Sequence, residues 1–135
     1  MLRYPLEVRY SDYDTKAHVN NAVYLVYFEW ARMKAWMEHM TRALPPDDPA
    51  LADPPIIVAE SRIRYVSPAN IGVPLAIEIA VKEIRTKGFS FAYRIVDARD
   101  ERLIAEGETV QVAFDYEARR PMPIPDYMRK ALETL

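Results

Sequence analysis

A run of polar side chains stands directly before the most apolar segment of the chain. Residues 11–30 read SDYDTKAHVNNAVYLVYFEW, with Asp12, Asp14 and His18 ahead of a stretch rich in aromatic and aliphatic residues. Carboxylate and imidazole groups can move protons, and a carboxylate can also act as a nucleophile. Alternatively, Asp14 or Asn20 caps the helix, which stabilises a helix by about 1 kcal/mol. The segment therefore suits a helix start, a catalytic site, or both.

The composition excludes most other familiar kinds of site. The 135 residues contain no cysteine, which excludes disulfides, thiolate metal sites and a cysteine nucleophile. Only three glycines are present, so no phosphate-cradling loop or dinucleotide fingerprint can be written. The histidines, His18 and His39, form no HExxH pattern, and no metal site is expected. With a net charge of −2 and mixed charges, nucleic acid is not an expected partner.

The N-terminal residues MLRYPLEVRYSD lack the apolar core of a signal peptide. Charged residues also recur within any window of about 18–20 residues, the length that a membrane span needs. We therefore expect a soluble cytoplasmic protein with no membrane partner. The length suits one domain, 1–135, which is long enough to bury a core.

Hydrophobic periodicity predicts one strand and one long helix in the first part of the chain. Residues 6–13 alternate weakly and are rich in strand-forming side chains. The segment from about Asn21 to Met40 contains no glycine or proline and is apolar nearly all round, which predicts a buried helix. Five prolines within residues 41–55 then predict a loop.

The second part of the chain reads as strand after strand. Alternating apolar and polar residues predict strands in 56–68, 73–88, 89–100 and 101–116. Short links favour antiparallel neighbours, and one apolar face on each strand leaves the helix as the object on which the sheet packs. We expect an α+β fold in which an antiparallel sheet of about five strands wraps around one long central helix. A short amphipathic helix follows the Pro-rich residues 121–125.

These elements and motifs resemble the hotdog-fold acyl-CoA thioesterases, and among them the 4-hydroxybenzoyl-CoA thioesterase-like group. The residues that carry the resemblance are Asp12-Tyr13-Asp14, His18-Val19-Asn20-Asn21, Tyr24, Tyr27 and Glu29, with Ile124, Pro125, Arg129 and Leu132 near the end. The resemblance covers nearly the whole chain. It implies the hotdog fold and the hydrolysis of an acyl-CoA to free acid and CoA.

The resemblance makes Asp14, the second aspartate of the D-x-D motif, the catalytic carboxylate, acting as general base or nucleophile. Family members often have glycine directly before the histidine; here Ala17 stands there and restricts the backbone angles of the turn. Plant acyl-carrier-protein thioesterases share HVNN but have a functional asparagine two residues after the aspartate. Lys16 occupies that position here, so no role passes from them to His18.

Thioester hydrolysis needs a base or nucleophile, donors for the developing oxyanion and a slot for the acyl group. Asp14 is ionised at neutral pH and can act as the base or nucleophile, if positioning and partial desolvation make it efficient. If the helix starts near Asn21, amides without helical partners are expected to bind the oxyanion. The candidates are the backbone amides of Val19, Asn20, Asn21 and Ala22. One such donor lowers the barrier by roughly 2.7–4 kcal/mol.

Several of these residues also have structural explanations. Asn20 and Asn21 suit turn and cap positions as well as contact with substrate, and His18 can orient the loop or touch the thioester. Glu29 is the reserve catalytic group, because some other hotdog thioesterases use a helix glutamate. An ion pair with Arg32, three residues later, is its simpler interpretation.

Coenzyme A is expected as part of the substrate, with no metal or redox cofactor, and its phosphates need cations. The basic clusters are Arg62 with Arg64, the hairpin tip Arg85-Thr86-Lys87-Gly88, and Arg119-Arg120. Solvated surface charge is the more common explanation for such clusters.

Five strands around one helix leave open sheet edges, so we expect at least a homodimer. The resemblance implies dimers that assemble into tetramers, with active sites drawing on both chains. Two other functions stay open. The first is a hotdog dehydratase or hydratase, which needs a histidine paired with a carboxylate, and His18 is the only candidate for that histidine. The second is a non-catalytic acyl-CoA-binding module, which needs neither the histidine nor the carboxylate. No single residue indicates which acyl group the substrate carries.

Overall fold

An antiparallel sheet curled around one long helix organises the protein in its computed structural model, which describes all residues from 1 to 135. The elements are β1 (Leu2–Leu6), α1 (Val23–Ala35), β2 (Ile56–Tyr65), β3 (Leu75–Ile84), β4 (Gly88–Asp97), β5 (Leu103–Asp115), β6 (Arg120–Pro121) and α2 (Asp126–Thr134). This order confirms the expected α+β fold, and β2 to β5 lie close to the four predicted strands.

The main sheet runs in the order β1-β3-β4-β5-β2, and every neighbouring pair is antiparallel. Strands β3, β4 and β5 form a meander through short hairpins, as their turn residues predict. In the β3–β4 turn the N–H of Arg85 donates to the carbonyl of Gly88 at 2.7 Å. The short β6 pairs with the end of β5, and β1 and β2 form the two edges of the sheet.

The first strand is displaced from its predicted position. Alternation predicts a strand at residues 6–13, but β1 ends at Leu6 and residues 10–12 form a 3₁₀ turn. Asp12 explains the difference, because its carboxylate accepts the N–H of Arg9 and its own N–H donates to the Arg9 carbonyl, each at 2.9 Å. A local side-chain bond of this kind competes with strand pairing.

The central helix starts later than predicted and is covered on one side only. It begins at Val23 rather than near Asn21, and a π-helical turn, Trp36–Met40, follows α1. Its buried residues are Tyr24, Tyr27, Phe28, Ala31 and Ala35. The prediction that the helix is buried all round is wrong, since Leu25, Val26 and Trp30 are exposed. The sheet of one chain reaches around only half of a helix. No helix of the protein is long and apolar enough to cross a membrane.

The core forms between α1 and the inner face of the sheet, with Phe28 at its centre. The ring of Phe28 stacks on that of Tyr93 in β4, with centroids 4.3 Å apart and planes 10° from parallel. On the neighbouring strand, a Cβ at Gly107 would lie 2.7 Å from the Phe28 ring and 2.3 Å from the Arg62 carbonyl oxygen. Glycine at this position therefore lets the helix approach the sheet closely.

Candidate active site

Asp14 lies at the start of a tight turn that ends at His18. The N–H of Asp14 donates to the His18 carbonyl at 3.0 Å, and the N–H of Ala17 donates to the Asp14 carbonyl at 3.1 Å. The Asp14 side chain adds a bond of its own, because Oδ1 accepts the N–H of Lys16 at 2.8 Å. Aspartate commonly stabilises turns in this way. One carboxylate oxygen is thus held by the turn, while Oδ2 accepts no hydrogen bond.

Ala17 takes a left-handed backbone conformation at φ = 64°. This confirms that the position before the histidine demands unusual backbone angles, which glycine adopts without strain. The N–H of Ile71 donates to the Ala17 carbonyl at 3.1 Å and holds the strained residue in place. A left-handed conformation costs a residue with a Cβ roughly 1–2 kcal/mol.

An open cleft of about 460 Å³ brings the turn, the helix start and the end of β2 together. Asp14 and His18 lie on one wall, with side chains 27% and 33% exposed and with His18 Nδ1 3.6 Å from Asp14 Oδ2. Asn21 and Tyr24 contribute from the helix start, and residues 65–68 close the opposite wall. The cleft is therefore lined by a carboxylate, an imidazole and the backbone at the N-terminus of α1.

Two tyrosines shape the apolar side of this cleft. The rings of Tyr24 and Tyr65 meet edge to face with centroids 5.5 Å apart, and the Tyr65 hydroxyl donates to the Asn21 carbonyl at 2.9 Å. Burial raises the pKa of Tyr24, and the charge of the nearby Asp14 carboxylate adds to this rise. The Tyr24 side chain therefore lines the cleft as an uncharged group at neutral pH. The role of Tyr65 was missed from the sequence, because no local pattern links it to Asn21, 44 residues away.

Three of the four expected oxyanion donors are occupied. The N–H of Val19 donates to the Ala69 carbonyl and that of Asn20 to the Asp12 carbonyl, each at 2.9 Å. The N–H of Ala22 donates to Oδ1 of Asn20, also at 2.9 Å. The expectation for Val19, Asn20 and Ala22 is therefore corrected, because backbone donors beside a core find partners within the chain. Asn20 acts as a turn residue.

The amide of Asn21 is the exception among the four. Its N–H donates to no acceptor of this chain, and neither does that of His18. The Asn20 carbonyl accepts the N–H of Val23 at 3.0 Å, which fixes the plane of the Asn20–Asn21 peptide. Because N–H and C=O point in opposite directions across a trans peptide, the Asn21 N–H points away from the helix. Asn21 lines the same cleft as Asp14.

Glu29 lies elsewhere. It is exposed and borders a second cavity of about 280 Å³ between α1, β2 and β4, whose walls include Trp36, Ile56 and Phe91. The expected ion pair with Arg32 is absent, because no Arg32 nitrogen lies within 4.0 Å of a carboxylate oxygen. Arg32 instead donates to the buried hydroxyl of Tyr93 at 3.3 Å. Within one chain the reserve candidate does not share the cleft of Asp14.

The basic residues proposed for coenzyme A lie on the outer face of the sheet. Arg62, Arg85, Lys87 and Gly88 line one cleft of about 680 Å³, while Arg64 borders a neighbouring groove. The carboxylate partners are Glu108 for Arg62 at 3.6 Å, Glu83 for Arg85 at 3.0 Å, and Glu106 for Arg64. Lys87 has no carboxylate partner. Arg119 and Arg120 lie beside and in β6 and line neither cleft.

The comparisons with known proteins agree with this geometry. Residues 8–132 match the family described as the thioesterase-like superfamily. The chain belongs to this family. The match confirms the hotdog-fold resemblance and the expected class of enzyme, a thioester hydrolase.

Named relatives point the same way. The acyl-CoA thioester hydrolase YbgC of Escherichia coli O6:H1 is 28% identical over 127 residues, which cover 93% of this chain and 90% of that protein. A thioesterase from Thermus thermophilus, solved with coenzyme A and Zn, is 25% identical with a TM-score of 0.81, over 98% of this chain and 91% of that one. In this chain no group of three or more histidine, aspartate or glutamate side chains could hold a metal ion.

A second solved structure supports the fold alone. Slr0204, a 1,4-dihydroxy-2-naphthoyl-CoA thioesterase from Synechocystis, is 19% identical with a TM-score of 0.85, over 98% of this chain and 96% of that one.

Replacing Ala17 with glycine should stabilise the protein. Glycine removes the cost of the left-handed conformation but adds entropy to the unfolded chain, so we expect a net gain of about 0.5–1 kcal/mol in the free energy of unfolding. Urea denaturation of both proteins measures this difference. The same change at Ala43, an exposed loop residue without a positive φ, is the control and should give no such gain. A loss of stability in Ala17→Gly would contradict the strain.

Proposed function

We propose that this chain hydrolyses an acyl-CoA to a free acid and CoA, with Asp14 as the catalytic carboxylate and the Asn21 amide as the oxyanion donor. The observation that carries the proposal is that both groups line one cleft, while the amides of Val19, Asn20 and Ala22 are occupied. The name of YbgC supports acyl-CoA as the substrate class.

Two routes use the same pair of groups. As a general base, Asp14 takes a proton from water, the hydroxide adds to the carbonyl carbon, and the carbon–sulfur bond breaks to release the CoA thiolate, which is then protonated. As a nucleophile, Asp14 displaces the thiolate itself, and water then hydrolyses the mixed anhydride. In both routes negative charge develops on the carbonyl oxygen, where the Asn21 N–H stabilises it.

The substitution Asp14→Asn should abolish most of the activity. The amide neither takes a proton nor attacks the carbonyl, so we expect kcat to fall by about 10²–10⁴-fold with little change in KM. Detection of free thiol across a panel of acyl-CoA chain lengths measures this loss and identifies the preferred acyl group. Asp47→Asn is the matched control, because Asp47 is exposed in the Pro-rich loop and its side chain has no hydrogen bond.

Undiminished hydrolysis by Asp14→Asn would remove Asp14 from this role. Acyl-CoA binding without turnover by the wild-type protein would favour the binding module. The proximity of His18 to Asp14 is the one observation that favours a dehydratase, and hydration of an enoyl-CoA by the wild-type protein would support it.

We further propose that the outer-face cleft holds the phosphates of CoA, with Lys87 as a main contact because no carboxylate neutralises it. Lys87→Ala should raise KM for acyl-CoA by about fivefold, as expected for the loss of about 1 kcal/mol from an exposed ion pair. The same acyl group on N-acetylcysteamine, which lacks phosphates, should show no change. Lys130→Ala, at an exposed position of α2, is the control. An equal effect on both substrates would rule out phosphate binding.

We also propose that the chain works as at least a homodimer. The edge strand β2 has ten residues and exposes Ile57, Val58 and Tyr65 by 42%, 41% and 47%. An open edge of this kind pairs readily with another strand. Light scattering after size exclusion should give at least twice the chain mass of 15.6 kDa, and Val58→Lys should shift the protein towards monomer. Glu117→Lys, in an exposed turn, should not. A monomeric wild-type protein would end this proposal.

A further inference from the structure

The first aspartate of the D-x-D motif has no part in the chemistry above, yet its carboxylate is almost fully buried. The Asp12 side chain is 3% exposed. A buried carboxylate is costly unless hydrogen bonds compensate for its lost hydration. Oδ2 accepts the hydroxyl of Tyr27 and the N–H of Arg9, each at 2.9 Å, while Oδ1 accepts from the Arg9 guanidinium at 3.3 Å.

Tyr27 links this carboxylate to the central helix. It lies on the buried face of α1 and is 5% exposed. Burial and the bond to the Asp12 carboxylate raise the pKa of Tyr27, so its hydroxyl stays protonated and donates at all relevant pH values. The phenol therefore anchors the chain before Asp14 to a rigid element of the core.

The backbone of Asp12 connects the same point to both halves of the candidate site. Its carbonyl accepts the N–H of Asn20 at 2.9 Å, and the next residue, Tyr13, bridges to Val19. Asp14 follows Asp12 by two residues, and Asn21 follows Asn20 directly. Asp12 thus stands between the carboxylate and the oxyanion donor, and it ties both to α1.

We propose that Asp12 and Tyr27 are positioning residues, which hold the Asp14 carboxylate and the Asn21 amide at a fixed separation across the cleft. The proposal rests on the proposed function, because it assigns these residues a role only through Asp14 and Asn21. Both reacting groups are placed by the same anchor, so a movement at Asp12 changes the distance between them. Misplacement by about 1 Å costs on the order of 10²-fold in rate. The effect falls on kcat rather than KM, because the alignment matters in the transition state.

Tyr27→Phe removes one hydrogen bond and little else, and we expect kcat to fall on the order of tenfold with KM unchanged, a loss of about 1.4 kcal/mol in transition-state stabilisation. Tyr4→Phe is a closely matched control. The Tyr4 hydroxyl also donates to a carboxylate, that of Glu38, at 2.9 Å, and Tyr4 is 8% exposed, but no hydrogen bond or ion pair joins Tyr4 or Glu38 to the segment that carries Asp14 and Asn21. Both variants lose a phenol–carboxylate bond, and only Tyr27→Phe should lose activity.

Substitutions at Asp12 separate positioning from folding. Asn keeps an oxygen that accepts from both Tyr27 and Arg9, so Asp12→Asn should retain kcat within about threefold. Ala keeps neither bond, so Asp12→Ala should lose about 10²-fold in kcat. Thermal denaturation identifies any variant that fails to fold. If Asp12→Ala fails to fold, the activities of Tyr27→Phe and Asp12→Asn still test the positioning role.

A double-mutant cycle with Asp14→Asn gives the decisive result. If Tyr27 positions Asp14, Tyr27→Phe should lower the residual rate of Asp14→Asn by clearly less than it lowers the wild-type rate, because only its hold on the Asn21 amide still matters there. Equal losses of kcat in both backgrounds would overturn the positioning role, as would equal losses in Tyr27→Phe and Tyr4→Phe. Full activity of Asp14→Asn alone would instead overturn the proposed function, so the two failures are distinguishable.

Discussion

The hydrogen bonds of the segment between Asp12 and Val23 determine which backbone groups are available for catalysis at the N-terminus of α1. The segment lies against a buried helix, where a backbone group without a partner is costly. Ala69, Asp12 and Asn20 accept the N–H groups of Val19, Asn20, Ala22 and Val23, while those of His18 and Asn21, two residues that line the cleft of Asp14, have no acceptor in this chain. The catalytic proposal thus depends on the backbone donors that have no hydrogen-bond acceptor within the chain.

The curvature of the sheet sets the surroundings of that cleft. The sheet covers one side of α1, so the helix offers a packed face to Tyr93 and an apolar face to the outside. Helix and sheet approach each other closely at Gly107, where a side chain would collide with Phe28. The exposed edge and the exposed helix face are both consistent with the proposed homodimer.

Charge on the outer face of the sheet follows the strand register. Arg3, Glu78, Arg94, Glu106 and Arg64 occupy paired positions across five strands and alternate in sign. Glu78 is buried, but its arginine partners and the remaining side chains are more exposed, and exposed ion pairs contribute little to stability. These pairs affect phosphate binding, because a carboxylate already neutralises each paired arginine. Lys87 stands outside this arrangement, which is why the phosphate proposal depends on it.

Local patterns in the sequence were sufficient for the α+β fold and for the unusual backbone angles at Ala17, and they made Asp14 the candidate carboxylate, whose role stays a prediction. These depend on periodicity, on a motif of adjacent residues and on backbone angles, which neighbours along the chain control. The tertiary structure alone decided the rest: Asn21 kept its amide free while Val19 donated to Ala69, Arg32 turned from Glu29 to Tyr93, and Lys87 lacked a partner. Each outcome depends on a contact between residues distant in sequence, and hydrogen bonds and ion pairs go to whichever acceptor the fold brings within about 3 Å.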